Sequence, residues 1–206
     1  MKKYLPKGFT MIELLIVIAV LGVLAVAVLS AINPIEQINR GRDTGSRSDA
    51  EQLLSAIDRY NAAQLIWPWQ CASDSPDAID PLKLVDAAWV DVVGPTGCTA
   101  SGCSVLGKLS VPIPADPAGC VGTDEIKQTF VVRLTNERAN NLHVFYRGNA
   151  GDSVYVCFNP QSGSFSDEAT RRCDDVANPP PDDFPPGACA ACPEDAGDNK
   201  DCICLP

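Results

Sequence analysis

The chain has 206 residues, of which 46% are hydrophobic and 20% charged, with a formal net charge of −10 and ten cysteines. The negative balance argues against bulk nucleic-acid binding, which rests on lysine and arginine neutralising phosphates. The length accommodates an anchor plus one soluble domain, and the even cysteine count points to disulfides formed outside the cytoplasm.

In chain order, Lys2, Lys3 and Lys7 form a basic leader, followed directly by an apolar run that ends at Ile32. No side chain from Leu14 to Ile32 ionises, and at about 1.5 Å per residue this stretch makes roughly 28 Å of helix, close to the thickness of bilayer hydrocarbon. The flank from Asn33 to Asp49 balances Arg40, Arg42 and Arg47 against Glu36, Asp43 and Asp49, so the positive-inside rule places the N-terminus in the cytoplasm. Glu13 is the one acid in the run. A carboxylate there needs a reason, since at mid-bilayer it costs about 2.5 to 3.5 kcal/mol, less near the edge. Ala25-Val26-Ala27 has the form of a signal-peptidase site, but it lies mid-run and would leave apolar residues on both sides.

Beyond the run, Ala50, Leu53, Leu54, Ile57, Tyr60 and Ala63 have the spacing of an amphipathic helix over Ser48 to Gln64. Ile35 to Arg47, with Gly41, Gly45 and several charges, predicts a weaker, solvated helix. Trp67-Pro68-Trp69 ends it, because a residue before proline avoids helical dihedrals. Asp80 to Val93, with Pro81 in a first turn and Leu82, Leu84, Val85, Ala88, Trp89 and Val92 apolar, predicts a short helix packed beside the main one. Gly94 to Gly122 is rich in glycine, proline and cysteine and reads as loop. Lys127 to Thr135, Leu142 to Arg147 and Ser153 to Asn159 are short and rich in Val, Phe and Tyr, which predicts an antiparallel meander. Gln161 to Ser164 turns into a short fourth strand at Phe165. The sheet then packs its apolar face on the Ala50 to Ala63 helix face. After Cys173, Pro179-Pro180-Pro181, Pro185-Pro186 and many acids predict an extended linker without its own core, ending in a disulfide knot or a flap pinned to the head at Cys189 to Cys204.

The cysteines are Cys71, Cys98, Cys103, Cys120, Cys157, Cys173, Cys189, Cys192, Cys202 and Cys204. Sequence does not fix their pairing. Nearness favours Cys98 with Cys103 and Cys157 with Cys173, while Cys71 with Cys120 would tie the helix end to the start of the sheet. Zinc at Cys189, Cys192, Cys202 and Cys204 is disfavoured by the C-x-C spacing and the oxidising setting, and no catalytic or metal-ligating set is expected. His143, the single histidine, reads as a strand residue without a nucleophile signature beside it. Trp67, Trp69 and Trp89 read as core or boundary aromatics.

Gly8-Phe9-Thr10-Met11-Ile12-Glu13, with its basic leader and following apolar run, resembles the class III signal of type IV prepilins and type II secretion pseudopilins. The resemblance is close from Lys7 to about Ile32. It implies that a prepilin peptidase cuts between Gly8 and Phe9 and N-methylates Phe9. Glu13 then neutralises the Phe9 amine of a neighbouring subunit in an apolar surround, where an unpaired charge is expensive. Many members carry a proline in the second half of the apolar helix; here the first proline after the leader is Pro34, and Gly22 is the sole interruption of the span. The resemblance also implies one helix continuous from anchor to stem, and a Pro112 to Pro117 connection leading into the sheet. Arg40, Arg42, Arg47 and Arg59 are placed to bridge to acidic heads of adjoining subunits. Some pseudopilins that resemble this chain bind calcium after their sheet. The acids available here are Asp167, Glu168, Asp174 and Asp175, then Asp195, Asp198 and Asp201; they match no EF-hand loop, and the expectation is no cofactor, with calcium the alternative.

The expected fold class is α+β: a long N-terminal helix, half transmembrane and half amphipathic, packed on a small antiparallel sheet, with a disulfide-rich C-terminal tail. The expected division is a leader at 1–8, a transmembrane and filament-core helix at 9–33, an amphipathic stem at 34–66, a head at 67–175 and an acidic Pro/Cys-rich tail at 176–206. The function implied is structural and not enzymatic: a single-pass membrane subunit, N-terminus in the cytoplasm and head outside, assembled into a cell-surface filament. Its implied partners are the peptidase, an inner-membrane assembly platform, and identical or other pilin-like subunits, with no nucleic acid. A type II secretion pseudopilin or minor pilin is the nearest alternative. A disulfide-rich binding ectodomain that keeps its leader is a more distant one.

Overall fold

A computed structural model describes residues 8–31, 33–73, 76–91, 102–136, 142–190, 192–193 and 201–206. The leader lysines, Val92, Cys98, Asp195 and Asp198 lie outside the described residues. Two compact units divide the chain, the first ending at Ile38 and the second beginning at Asn39.

The first unit holds α1 (Met11–Ala31), whose length and composition suit a membrane span over Met11–Ser30. Every described side chain from Phe9 to Ser30 is exposed. The next helix, α2 (Pro34–Gln64), begins at a proline with Asn33 as its cap, the Asn33 side-chain oxygen accepting the Glu36 N–H at 3.4 Å. Anchor and stem are therefore two helices and not one. Pro34 has no N–H to give to a preceding turn and turns the residue before it away from helical dihedrals. The weak stretch from Ile35 to Arg47 is nonetheless helical and continuous with the amphipathic part.

In the second unit α2 buries Asp43, Ser46, Ala50, Leu53, Ile57 and Tyr60, a spacing of three and four that sets one face inward. It ends at Gln64, where Leu65 turns to φ 60°. The sheet has four antiparallel strands, β1 (Ile79–Leu84), β2 (His143–Tyr146), β3 (Tyr155–Phe158) and β4 (Ile203–Leu205), in the order β1-β2-β3-β4. Between them lie α3 (Val105–Leu109), α4 (Gln128–Asn136) and α5 (Gly163–Asp174).

Four expectations fail here. Residues from Ile79 to Leu84 form the edge strand β1 instead of opening a helix; Pro81 is tolerated there because an edge strand leaves some N–H positions unpaired. The run expected as a strand at Lys127 to Thr135 is α4, since Phe130, Val131 and Leu134 fall on one helical face and are buried together. The Pro112 to Pro117 connection accordingly leads to a helix and not into the sheet. The fourth strand is the C-terminal β4, and Phe165 instead lies in α5, which Ser162 caps by accepting the Phe165 N–H.

Alternation along the strands gives the sheet two buried faces. Val144, Tyr146, Val156, Phe158 and Ile203 join Leu53, Ile57 and Tyr60 of α2, together with Trp69, Leu106 and Leu142, in the larger core. Phe145, Tyr155, Cys157 and Cys204 point the other way and meet Phe184, Ala188, Cys192 and Cys202 of the tail. The tail is thus the cover of the outer sheet face and not an extended linker.

Cys103 bonds to Cys120, Cys157 to Cys204, Cys173 to Cys189 and Cys192 to Cys202, and Cys71 is also disulfide-bonded. Neither pairing favoured by nearness in sequence forms, nor does Cys71 with Cys120, since Cys103 and Cys157 take Cys120 and Cys204. Cys157 and Cys204 are instead directly opposite in the β3/β4 register, so strand pairing decides the partner.

Candidate functional site

The residues at the start of α1 assemble a local motif. Thr10 stands at the N-cap position, and its hydroxyl accepts the Glu13 N–H at 3.3 Å. In return Glu13 Oε2 accepts the Thr10 N–H at 2.9 Å and the Thr10 hydroxyl at 2.7 Å. This is the reciprocal capping box, which satisfies otherwise orphaned N–H groups of a first turn. It also holds the carboxylate at the positive end of the helix dipole. The Thr10-x-x-Glu13 spacing was visible in the sequence as that signature, and Thr10 is the residue the sequence reading passed over.

Gly8 and Phe9 sit immediately ahead of the cap, both exposed. A Cβ at Gly8 would meet nothing within 4 Å. Among the described residues, nothing calls for glycine there. The same is true of Gly22, Gly41 and Gly45.

The stem arginines separate into two groups. Arg47 pairs with Glu168 and stacks over Phe165, with 4.9 Å from its guanidinium to the ring centre. Arg59 pairs with Glu125 at 2.6 Å. Both are engaged within their own head, whereas Arg40 and Arg42 are exposed. Asp43 is buried and accepts hydrogen bonds from Gln161 N and Ser162 N, each at 2.8 Å, and from the Ser162 hydroxyl at 2.5 Å. One carboxylate thus ties the lower half of the stem helix to the N-terminus of α5, a role that no local pattern in the sequence announces.

The remaining candidates fall elsewhere. His143 is buried in β2. Trp69 and Trp89 are core residues, stacked with their rings 6.0 Å apart, and the half-buried Trp67 stacks on Trp69 at 5.2 Å. Cys189, Cys192, Cys202 and Cys204 have spent their sulfurs in disulfides. The Asp175 carboxylate is taken by the Ala177 and Asn178 N–H groups, which hold its pKa below the ordinary value. Among the described residues no three His, Cys, Asp or Glu side chains are grouped to hold a metal ion.

Residues 6–29 match the family model described as the prokaryotic N-terminal methylation motif. The chain is also similar to the fimbrial protein EcpC of Eikenella corrodens, 32% identical over 97 residues, which is 47% of this chain and 62% of that protein. The match therefore covers less than two thirds of that relative's length. No solved structure matches the chain.

Proposed function

We propose that this chain, whose residues 6–29 carry the N-terminal methylation segment of type IV pilin-like proteins, is a structural subunit of a pilus-like filament. A prepilin peptidase cuts between Gly8 and Phe9 and methylates Phe9. Before assembly the subunit waits in the membrane with its N-terminus in the cytoplasm and its head outside. It works with an assembly platform and with further copies or other pilin-like subunits, and it performs no catalysis. The observation that carries this reading is the junction itself: a glycine that nothing among the described residues packs against, a capped acid five residues beyond it, and an apolar helix of 21 residues exposed from Met11 to Ser30.

Glu13 has a second acceptor oxygen, Oε1, besides the one held by Thr10. In a filament that oxygen receives the N-methylated amine of a neighbouring Phe9, and the pair sets the stagger between subunits. Thr10 holds the carboxylate in position, so two variants separate the roles. Glu13→Ala removes the pairing carboxylate and the reciprocal half of the capping box, leaving the Thr10 hydroxyl on the residue-13 N–H, and abolishes filaments while cleavage persists; Thr10→Ala removes that hydroxyl cap, costing about 1 kcal/mol of helix stability, and still assembles. Equal loss in both variants would reduce Glu13 to a helix cap.

The deciding experiment is N-terminal peptide mass spectrometry on protein from its own cells. A chain beginning at N-methylated Phe9 supports the filament reading. A chain retaining Lys2, Lys3 and Lys7 overturns it in favour of an anchored ectodomain.

A further inference from the structure

A buried lysine and a buried aspartate meet in the head without a role in the reading above. The side chains of Lys108 and Asp91 are 9% and 0% exposed, and Lys108 Nζ lies 2.7 Å from Asp91 Oδ2. Oδ2 nevertheless accepts no aligned hydrogen bond from any described residue. The other oxygen is fully served, Oδ1 accepting the Gly102 N–H at 2.7 Å and the Cys103 N–H at 3.1 Å. Nζ itself donates to the Gln70 carbonyl at 2.8 Å.

The frame around the pair is stiff. Asp91 N donates to Cys103 O and Val105 N to Trp89 O, each at 2.9 Å, flanking a bridge between Val90 and Ser104. Cys103 is also fixed by its disulfide to Cys120. Lys108 belongs to α3, which is buried along its whole length and capped by Ser104. The Asp116 carboxylate clamps that cap, accepting Ser104 N and Ile113 N at 2.7 Å each. A Cβ at Gly107 would stand 2.3 Å from Asp116 Oδ2, so glycine is what lets the clamp close one residue before Lys108.

We propose that Lys108 and Asp91 condense into an intramolecular amide once the head has folded. A proton passes from the ammonium to the carboxylate, giving a neutral amine and acid. The Nζ lone pair then attacks Cγ, with negative charge developing on Oδ1, where the two backbone N–H groups are aimed. The Nζ–Cγ bond forms, the Cγ–Oδ2 bond breaks, and Oδ2 leaves as water carrying the acid proton and one amine proton. Nothing is oxidised or reduced, and no other reagent enters. Holding the two groups in contact in a water-excluded site supplies the proximity that such a condensation needs.

The product fits the site better than the ion pair does. A buried ion pair carries the desolvation cost of both charges, and condensation replaces it with a neutral amide. The remaining carbonyl oxygen keeps both N–H donors, and the new amide N–H keeps the Gln70 carbonyl. The bond closes a ring from residue 91 to residue 108 that reductants cannot open, alongside the Cys103–Cys120 disulfide that they can.

The test is mass spectrometry of the reduced, alkylated protein from its own cells after trypsin digestion. The expected result is a looped peptide running from Leu84 to Lys127, uncut after Lys108 and lighter by one water than the same linear sequence with a missed cleavage. Lys108→Arg yields only linear peptides, and Asp91→Asn yields a looped peptide of the wild-type mass, because ammonia leaves in place of water. Linear wild-type peptides cut normally at Lys108 would overturn the proposal and leave an ion pair only. The peptides lie far from the leader, so the result is independent of whether Gly8 is cleaved.

Discussion

The two faces of the sheet are buried by different means. On the inner face α2 supplies Leu53, Ile57 and Tyr60 against Val144, Val156 and Phe158, and each fully buried aliphatic or aromatic side chain contributes about 1.5 to 3 kcal/mol. The outer face has a smaller apolar set, Phe145, Tyr155, Phe184 and Ala188, and four of the cysteines share its core. The tail that supplies this cover has, among its described residues, one short 3₁₀ turn at Pro186–Cys189 and the three-residue strand β4. A helix can be held by packing alone because its own hydrogen bonds are complete. A segment with so few internal hydrogen bonds cannot, and covalent links take over where packing is thin.

The largest way to break the comparison is reduction. Cys157–Cys204, Cys173–Cys189 and Cys192–Cys202 all hold the tail or its approach, and each bridge is worth about 2 to 4 kcal/mol by loop closure. Reduction followed by alkylation should free the Cys202 amide, which donates to the Ala188 carbonyl at 2.8 Å, to rapid hydrogen exchange. Amides of α2 around Leu53 and Ile57 should stay protected. Simultaneous loss of protection in both places would mean one cooperative core and not two.

Side-chain truncation reads the same contrast from the other side. Leu53 is fully buried, and Leu53→Ala should lower global stability by about 2 to 5 kcal/mol through the lost contacts and the cavity left behind. Phe184→Ala removes the edge-on contact with Tyr155, whose ring lies 5.4 Å away, and should loosen the tail while the bridges keep it attached. Its effect on the denaturant midpoint should be well below that of Leu53→Ala. A comparable shift in both would show that the outer face contributes through packing after all.

How far these features could be read in advance depends on whether the signal was local. The apolar run of α1 and the three-and-four spacing from Ala50 to Tyr60 are local, and both gave the right helices. The Val/Phe/Tyr runs at β2 and β3 are local as well, and the strands lie within a residue or two of where they were expected. In the candidate site, Gly8, Phe9 and Glu13 lie in the stretch at 6–29 that matches the methylation motif, and a linear motif of that kind survives as a sequence pattern. The Lys127 to Thr135 run failed although its signal was local, because its Val and Phe content suits a strand while Phe130, Val131 and Leu134 share a helical face; the other failures were set by contacts between distant residues. Ile79 to Leu84 has an apolar spacing that a helix would satisfy, but its partner is β2, far along the chain. Ile203 to Leu205 is too short to announce a strand; the β3 edge and the Cys157–Cys204 bond make it one. Asp43 is one acid among many until the chain brings Gln161 and Ser162 to it.

The smallest expected effect concerns how the tail is latched at one polar point, and it turns on pH. Asp183 accepts the Ser153 N–H at 2.7 Å and the Tyr155 hydroxyl at 3.0 Å. The Ser153 N–H holds the Asp183 carboxyl below its ordinary pKa. Burial, then the bond to Asp183, pushes the Tyr155 phenol up from 10.0 to about 12. A raised phenol pKa contributes stability that is full below 10.0 and is lost as pH rises through about 12. A depressed carboxyl contributes stability that is present above the ordinary carboxylate range and is lost as pH falls through its folded value. The latch therefore holds best between those two limits. In an ultraviolet titration of tyrosinate, the wild type should show a component near 12 that Tyr155→Phe abolishes, with about 0.5 to 1.5 kcal/mol lost at neutral pH for one hydrogen bond. If that component persists in Tyr155→Phe, it belongs to Tyr60 or Tyr146, whose phenols burial also raises, and the polar latch contributes nothing to holding the outer face.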